Sequence, residues 1–212
     1  MPEIRKQNEI ERRNFPVEEL RAITDDKGLR HITGYAAVFN SLSDNLGGFR
    51  EKIDKGAFKK SIKKDDVRAL KNHNTDYVIA RTKSGTLKLS EDERGLKIDA
   101  LPPDAGWARD LMVSIERGDI DQMSFGFMTI SDRWETKDKE EIRTLEEVQL
   151  FDVSPVAFPA YPDTAVGLRS LGEYQKTKNI PPEGGENKVE DISRSAVLLG
   201  EEDEIYRKII GI

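Results

Sequence analysis

The stretch Asp121–Ile130 has the sequence DQMSFGFMTI, and the stretch Arg143–Phe158 has the sequence RTLEEVQLFDVSPVAF. Segments rich in aromatic and β-branched residues are typical of strands, and these two are the strongest strand predictions in the chain. The first is apolar on both faces of the predicted strand, a pattern that indicates burial on both sides. The sequence therefore predicts a buried strand over residues 121–130.

Shorter elements surround these two strands. Five further segments are predicted as strands: residues 30–40, 67–73, 77–82, 86–91 and 95–101. Helices are predicted over Gly56–Lys64 and Asp104–Arg117, and Gly118 follows the second helix in the position where glycine commonly ends one. The second helix carries one apolar stripe at helical spacing: Trp107, Ala108, Leu111, Met112 and Ile115. Together these elements predict an α+β fold, a closed or nearly closed β-barrel with a few helices outside it.

The chain divides into three regions by composition. Residues 1–16 are charged and irregular, and we interpret them as an N-terminal arm. Residues 17–170 hold nearly all the aromatic residues and form the predicted globular domain. Residues 171–212 contain a charged linker rich in Pro and Gly and then a short apolar stripe, so we predict a linker and tail. Because only 36% of the residues are hydrophobic and 35% are charged, we expect one modest core with part of the chain solvated.

Composition also excludes several classes of function. The chain has no cysteine and two histidines, which argues against disulfides, thiolate catalysis and a multi-histidine metal site. No phosphate-binding loop, dinucleotide fingerprint or zinc-protease motif is present, so no cofactor is predicted. The net charge of −6 argues against a nucleic-acid binder. No apolar run reaches the roughly 18 residues of a membrane span, and the polar N-terminus predicts no signal peptide.

Ser124 is the first candidate for chemistry. On a strand, side chains two residues apart point to the same face, so Ser124 shares a face with Gly126, whereas Phe125 and Phe127 point into the core. A glycine beside a serine leaves open space above the hydroxyl group, and a nucleophile needs that space for a carbonyl group to approach. The alternative is a small buried serine with a hydrogen-bonded hydroxyl, which the pattern alone favours.

The two histidines differ in their surroundings. His73 ends the predicted strand 67–73 beside Asn72 and a turn, where it can present a ring nitrogen to a cleft. The alternative for His73 is a solvent-exposed turn residue. His31 alternates with apolar residues and is predicted to face outward from the strand 30–40.

Asp152 lies between Phe151 and Val153 in a predicted strand. A charged residue there is costly to bury unless it is paired. A histidine ring N–H is a suitable partner, since the carboxylate then orients the ring. The alternative is an aspartate that faces outward from the strand. Pro155 confines this segment to an edge, a strand end or a bulge.

His73, Ser124 and Asp152 together supply a base, a nucleophile and an acid on predicted strands. Such a triad is defined by its geometry and not by the order of its members along the chain. Adjacent carboxylates such as Glu146–Glu147 and Asp25–Asp26 point to opposite faces of a strand, so they are poor candidates for glycoside hydrolysis.

Five motifs give the chain a family resemblance over residues 32–170. In order they are GYAAVF (34–39), GAF (56–58), LKNH (70–73), MSFGF (123–127) and DVSPVAFPA (152–160). The combination resembles the prohead proteases that mature the capsids of tailed bacteriophages of the HK97-like type. These proteases are similar in fold to the herpesvirus assemblins. The resemblance therefore implies a mainly antiparallel β-barrel with surrounding helices.

The resemblance also implies an activity and its partners. It implies a serine endopeptidase without cofactor or metal that acts inside the assembling procapsid, in the cytoplasm of the bacterial host. Its substrates would be the scaffold segment of the major capsid protein, or a separate scaffold, and the protease itself, including its tail. Assemblins act as dimers, so the analogy also suggests a homodimer.

The family's catalytic residues are transferred by motif. The nucleophile falls on Ser124, the histidine on His73 and the acid on Asp152, where the family usually has glutamate. Because aspartate is one methylene shorter, Glu147 is kept as the alternative acid. The mechanism also requires an oxyanion hole, for which backbone N–H groups of residues 158–160 are our candidates, since they lie just past the acid.

Two other functions stay open. The same barrel could serve as a catalytically inactive scaffold or assembly protein, in which His73 and Ser124 are not aligned. The distance from the Ser124 hydroxyl to His73 separates this from an enzyme, for which about 3 Å is expected. An unrelated β-barrel binding module would leave Ser124 buried with no cleft over it.

Overall fold

The computed structural model describes residues 10–16, 19–158 and 164–178. The described residues form ten strands and three helices. In chain order these are β1 (Glu11–Pro16), β2 (Arg21–Thr24), β3 (Arg30–Val38), β4 (Phe49–Ile53), α1 (Lys59–Lys64), β5 (Arg68–Lys71), β6 (Asn74–Arg81), β7 (Leu87–Glu91), β8 (Gly95–Ala100), α2 (Gly106–Glu116), β9 (Gln122–Lys137), β10 (Glu140–Val156) and α3 (Thr164–Lys178). Up to Gln175 they belong to one compact unit; of a second unit, only residues 176–178 are described.

The strands form two sheets around one main core. The larger sheet has the order β1-β9-β10-β5-β6, with β4 also paired to β10, and the smaller sheet has the order β2-β3-β8-β7. Side chains of both sheets meet in the core, among them Ile32 and Ile98 from the smaller sheet and Phe125 and Phe127 from β9. The prediction of a strand at residues 121–130 is confirmed, and its predicted burial holds for Met123 to Phe127, whereas Ile130 is exposed.

The α+β class and the predominance of antiparallel pairing are confirmed, but the prediction of a closed or nearly closed barrel is wrong. The larger sheet curls into a half-barrel, and it is mixed because both β4 and β5 run parallel to β10. Among the described strands, its edges β1 and β6 do not pair with each other. The physical reason lies in β10, whose second edge is occupied by two short parallel strands joined by a helix. Each parallel pair joins β10 to a strand far away in the chain, and no local sequence pattern reveals which distant strand will be the partner.

Helix α1 fills the gap between β4 and β5 along the edge of β10. The Val148 N–H donates to the carbonyl of Ala57 at 3.0 Å, and the Leu150 N–H donates to the buried Ser61 hydroxyl at 2.8 Å. The Ser61 hydroxyl in turn donates to Asp65 at 2.6 Å. A buried backbone group without a partner would be costly, so these bonds fix α1 against β10. They also fix the start of β5, which follows α1 directly.

The predicted helices are close to the observed ones. Helix α2 buries its predicted stripe at Ala108, Leu111, Met112 and Ile115. The predicted glycine end is present as well, since Gly118 has a φ of +78°. Helix α3 was not predicted, and it runs through the predicted domain boundary after residue 170. No helix among residues 10–16, 19–158 and 164–178 is long and apolar enough to cross a membrane.

Strand β1 lies within the predicted N-terminal arm, and buried ion pairs hold it in the sheet. Arg143 of β10 is 2.7 Å from Glu11 of β1 and 3.0 Å from Glu51 of β4. Arg13 of β1 is 2.7 Å from Glu11 and 2.8 Å from Glu51. Asp132 of β9 adds a contact of 2.8 Å to Arg143. The pairs therefore connect four strands, and the charges that suggested a solvated arm are the ones that are buried.

Burial and pairing act in opposite directions on these groups. Burial alone raises the pKa of Glu11, but the guanidinium groups of Arg143 and Arg13 outweigh it and lower the pKa below the ordinary value of 4.5. Burial alone likewise lowers the pKa of Arg143, and Glu51 and Glu11 outweigh it and raise that pKa. The shifts therefore favour the charged forms of Glu11 and Arg143 within the core, where each depends on its oppositely charged neighbours.

Replacing Arg143 by methionine should strongly destabilise the fold. The change leaves Glu11 and Glu51 buried with one arginine fewer, and breaking a buried pair typically costs about 3–5 kcal/mol. Urea unfolding of the two proteins measures the loss. Arg133→Met is the matched control, because Arg133 is 47% exposed and lies 3.6 Å from its carboxylate partners. The control should lose less than about 1 kcal/mol, and equal losses in both variants would contradict a structural role for the network.

Stability should also fall on acidification because of Glu11. Its folded pKa is lowered, so its contribution is complete above the ordinary value of 4.5 and is lost as the pH falls through the lowered folded value. The free energy of unfolding, measured from neutral pH down to pH about 3, should show a shallower acid decline in Glu11→Gln than in wild type. Identical slopes would mean that folding does not lower the pKa of Glu11.

Candidate active site

Ser124 lies on β9, in the interior of the larger sheet. Backbone pairing places Ser154 of β10 directly opposite it on one side, and β1 pairs with β9 on the other. The predicted alternation holds, since Phe125 and Phe127 are fully buried in the core and pack against each other with ring centroids 4.9 Å apart. The Ser124 hydroxyl therefore projects from the opposite face of the sheet.

Asp152 reaches the same face from β10, where it stands opposite Gly126. A Cβ atom at position 126 would overlap the Asp152 Oδ1 atom and lie 3.4 Å from its Cγ. The space that glycine leaves beside Ser124 is therefore filled by the acid. We had predicted open space at this point for an approaching carbonyl group. The glycine instead lets a carboxylate lie flat against the neighbouring strand.

His73 comes from the tight turn that joins β5 to β6. The strand ends at Lys71, two residues before the predicted end, and Asn72 and His73 form the turn with φ angles of +52° and +56°. Positive φ at both central residues is typical of hairpin turns whose twist matches that of the strands. For histidine this conformation is uncommon and strained, and such strain concentrates at functional sites.

The three side chains form one hydrogen-bonded chain. His73 Nδ1 is 2.6 Å from Asp152 Oδ2, and His73 Nε2 is 2.7 Å from the Ser124 Oγ. The buried hydroxyl of Ser154 donates to the same Asp152 oxygen at 2.7 Å. The structure thus brings together all three residues that the sequence singled out. It is the arrangement of a nucleophile, a base and an orienting acid.

The candidate nucleophile, Ser124, has no exposed surface. Ser124 has a relative exposure of 0%, and the side chain of His73 is 9% exposed. Burial was the feature expected of a binding module without a catalytic function. Here, however, the buried hydroxyl is bonded to a histidine, and that histidine is bonded to a carboxylate.

Comparison with known proteins supplies the family. A family model described as caudovirus prohead serine protease matches residues 17–179. The chain belongs to this family. The match covers well over half of the chain and confirms the resemblance inferred from the five motifs.

Similarity to this chain extends to a solved structure. It is the capsid assembly protease of bacteriophage T4, which is 13% identical in sequence. The alignment covers 70% of this chain and 97% of that one, with a TM-score of 0.46. None of the curated proteins matches the chain.

The remaining predicted residues lie elsewhere in the prohead protease. His31 is on β3 in the smaller sheet and is 2.6 Å from Asp99. Glu147, the alternative acid, is 2.6 Å from the exposed Lys60, so Asp152 is the carboxylate that contacts His73. Of the suggested oxyanion loop, Phe158 is 83% exposed, and residues 159–160 lie outside the described part of the chain. No group of three His, Asp or Glu residues suited to a metal ion occurs among the described residues.

Ser154 is part of the site, although it is not among the residues predicted from the sequence. Its signal was available, because Ser154 lies two residues after Asp152 and therefore shares its face of β10. Pro155 follows near the end of β10, in agreement with the prediction that it marks an edge, an end or a bulge.

Replacing Gly126 by alanine should disrupt the site without breaking the core. The new methyl group would displace the Asp152 carboxylate from His73, and a misplacement of about 1 Å can cost about a hundredfold in rate. The rate of cleavage, followed by intact mass under conditions in which the wild type cleaves, measures this loss. Gly106→Ala is the control, since no atom lies within 4 Å of a Cβ there. Full activity of Gly126→Ala would show that contact between Asp152 and His73 is dispensable.

Proposed function

We propose that this chain is an active serine endopeptidase whose catalytic triad is Ser124, His73 and Asp152. The observation that carries the proposal is the unbroken chain of hydrogen bonds, 2.6 Å from Asp152 to His73 and 2.7 Å from His73 to Ser124. Membership in a family of prohead serine proteases supports it.

In the proposed mechanism, His73 Nε2 takes the proton of the Ser124 hydroxyl as Oγ attacks the scissile carbonyl carbon. For Nε2 to accept that proton, the ring must carry its own proton on Nδ1, which then donates to Asp152. When the tetrahedral intermediate collapses, the imidazolium returns the proton to the leaving amine, and a water molecule later releases the acyl group by the same route. Asp152 fixes the tautomer and stabilises the charged ring.

An aspartate is long enough for this role. Gly126 lets the carboxylate approach β9 closely, and Ser154 bonds the same oxygen that faces His73. These two neighbours supply the placement that an extra methylene would otherwise give. The oxyanion hole belongs to the proposal as well, with the backbone N–H groups of residues 158–160 as its candidates, because that loop begins two residues beyond β10.

The proposed substrates follow from the family. We propose that the protease cuts the scaffold segment of the major capsid protein, or a separate scaffold, inside the procapsid in the bacterial host. We also propose that it cuts its own chain and removes residues 171–212, and that it acts as a homodimer, as the resemblance to assemblins suggests.

An inactive assembly protein on the same fold is the alternative. It predicts that His73 and Ser124 are not aligned, whereas their 2.7 Å separation favours the enzyme. The complete burial of Ser124 favours a protease that is latent as a free protein, since a substrate carbonyl cannot reach Oγ until the site opens.

Intact mass over time tests the proposal. Full-length wild type and Ser124→Ala are each expressed alone and together with the matching capsid protein and scaffold. We expect the wild type to shorten its own chain or the partner proteins, at least in co-expression, and Ser124→Ala to leave every chain whole. The fragment masses then give the cleavage sites.

His31→Gln is the matched control for the general base, because it removes the other histidine, in the smaller sheet. It should cleave like the wild type, whereas His73→Gln should be inactive. If the wild type leaves all chains whole even with its partners present, the triad assignment fails and the assembly-protein alternative replaces it.

A further inference from the structure

Asn72 continues the pairing between β5 and β10 beyond the end of the regular ladder. Arg68 stands opposite Asp152, and Ala69 stands opposite Val153, in parallel register. Continued three residues beyond Ala69 and Val153, the same register puts Asn72 opposite Val156. Two hydrogen bonds join the strands at that position.

These bonds have the pattern of a parallel ladder with one substitution. In such a ladder, the N–H of a residue donates to the carbonyl of the residue just before its partner. Its own carbonyl accepts the N–H of the residue just after its partner. The Asn72 N–H donates to the Pro155 carbonyl at 3.0 Å. The Ala157 N–H, however, donates to the Asn72 side-chain Oδ1, also at 3.0 Å. The side-chain oxygen takes the place of the backbone carbonyl.

The backbone conformation of Asn72 explains the substitution. Its φ of +52° turns its own carbonyl away from the ladder and starts the turn that carries His73. Asparagine tolerates this conformation better than most residues, because its short polar side chain can bond locally. The chain can therefore leave the sheet at residue 72 and still stay attached to β10.

We propose that Asn72 is a positioning residue of the catalytic site. It touches neither the reacting atoms nor the substrate. It clamps the turn that carries His73 to the chain that carries Asp152. The two contacts are at Pro155 and Ala157, close after Ser154. The clamp holds the imidazole between Asp152 and Ser124, and the inference rests on the triad function proposed above.

The chain offers an internal reference for the test. Its two histidines, His73 and His31, each have Nδ1 2.6 Å from an aspartate oxygen. A proton held in so short a bond gives a proton resonance far downfield. Asn72 precedes His73 in the same turn, whereas His31 lies in the smaller sheet, so a change at residue 72 should affect the His73 resonance alone.

Three substitutions separate the clamp from the turn. Asn72→Asp keeps both an acceptor oxygen and tolerance of positive φ. Asn72→Gly keeps only the tolerance of positive φ, and Asn72→Ala loses both. Asn40→Ala is the matched control, since Asn40 also has a positive φ, of +55°, in a different loop. All four variants are made in the full chain.

We expect the His73 resonance to broaden or disappear in Asn72→Ala and Asn72→Gly and to persist in Asn72→Asp and Asn40→Ala. The His31 resonance should persist in all of them. The cleavage rate should fall about tenfold to a hundredfold in the first two variants, because small displacements of a catalytic group are costly, and the conservative aspartate should restore it.

Each other outcome has a defined meaning. If Asn72→Gly keeps the His73 resonance, only the turn conformation matters and the clamp is refuted. If Asn40→Ala loses it as well, the effect is general destabilisation and the clamp is again refuted. A wild type that cleaves nothing would overturn the proposed function, and the resonances would still decide whether Asn72 positions His73.

Discussion

Strand β10 is hydrogen-bonded along both of its edges, and this double pairing determines where each group of the candidate site lies. One edge pairs with β9, which carries Ser124. The other edge pairs in turn with β4, with Ala57 just before α1 and Ser61 within it, and with β5, whose hairpin carries His73. Asp152 belongs to β10 itself. Ser124 and His73 therefore approach Asp152 from opposite sides of β10. A slip of one residue in either ladder would expose core side chains, so both registers are fixed.

The candidate site was more predictable than the sheet around it. Ser124, Asp152 and His73 each stood in a short motif, and the two-residue period of a strand put Ser124 and Gly126 on one face. The parallel pairing of β4 and β5 left no such local mark, because it depends on which distant edge each strand meets. Strand β1 was hidden for a different reason. Its charges, Glu11 and Arg13, signal a solvated segment unless their buried partners on other strands are known.

Polar groups, not apolar ones, account for the least regular parts of the fold. Two side-chain oxygens take the place of a backbone carbonyl at the edge of β10. The Ser61 hydroxyl accepts the N–H of Leu150, and the Asn72 amide oxygen accepts the N–H of Ala157. Buried ion pairs connect four strands at the other end of β10. They join the side chains of Glu11, Arg13, Glu51, Asp132 and Arg143. Such bonds are directional, so they define one arrangement where apolar contacts alone would accept several.

The burial of Ser124 has a consequence for how the protease is activated. Its hydroxyl, the His73 imidazole and the Asp152 carboxylate are already in contact, although Ser124 has no exposed surface. On the proposed mechanism, a trigger inside the procapsid has no chemistry to assemble. It has only to uncover one oxygen atom. The timing of capsid maturation would then be set by a conformational change that exposes Ser124. Substitutions that weaken the packing over Ser124 would activate the protease too early and leave the chemical step intact.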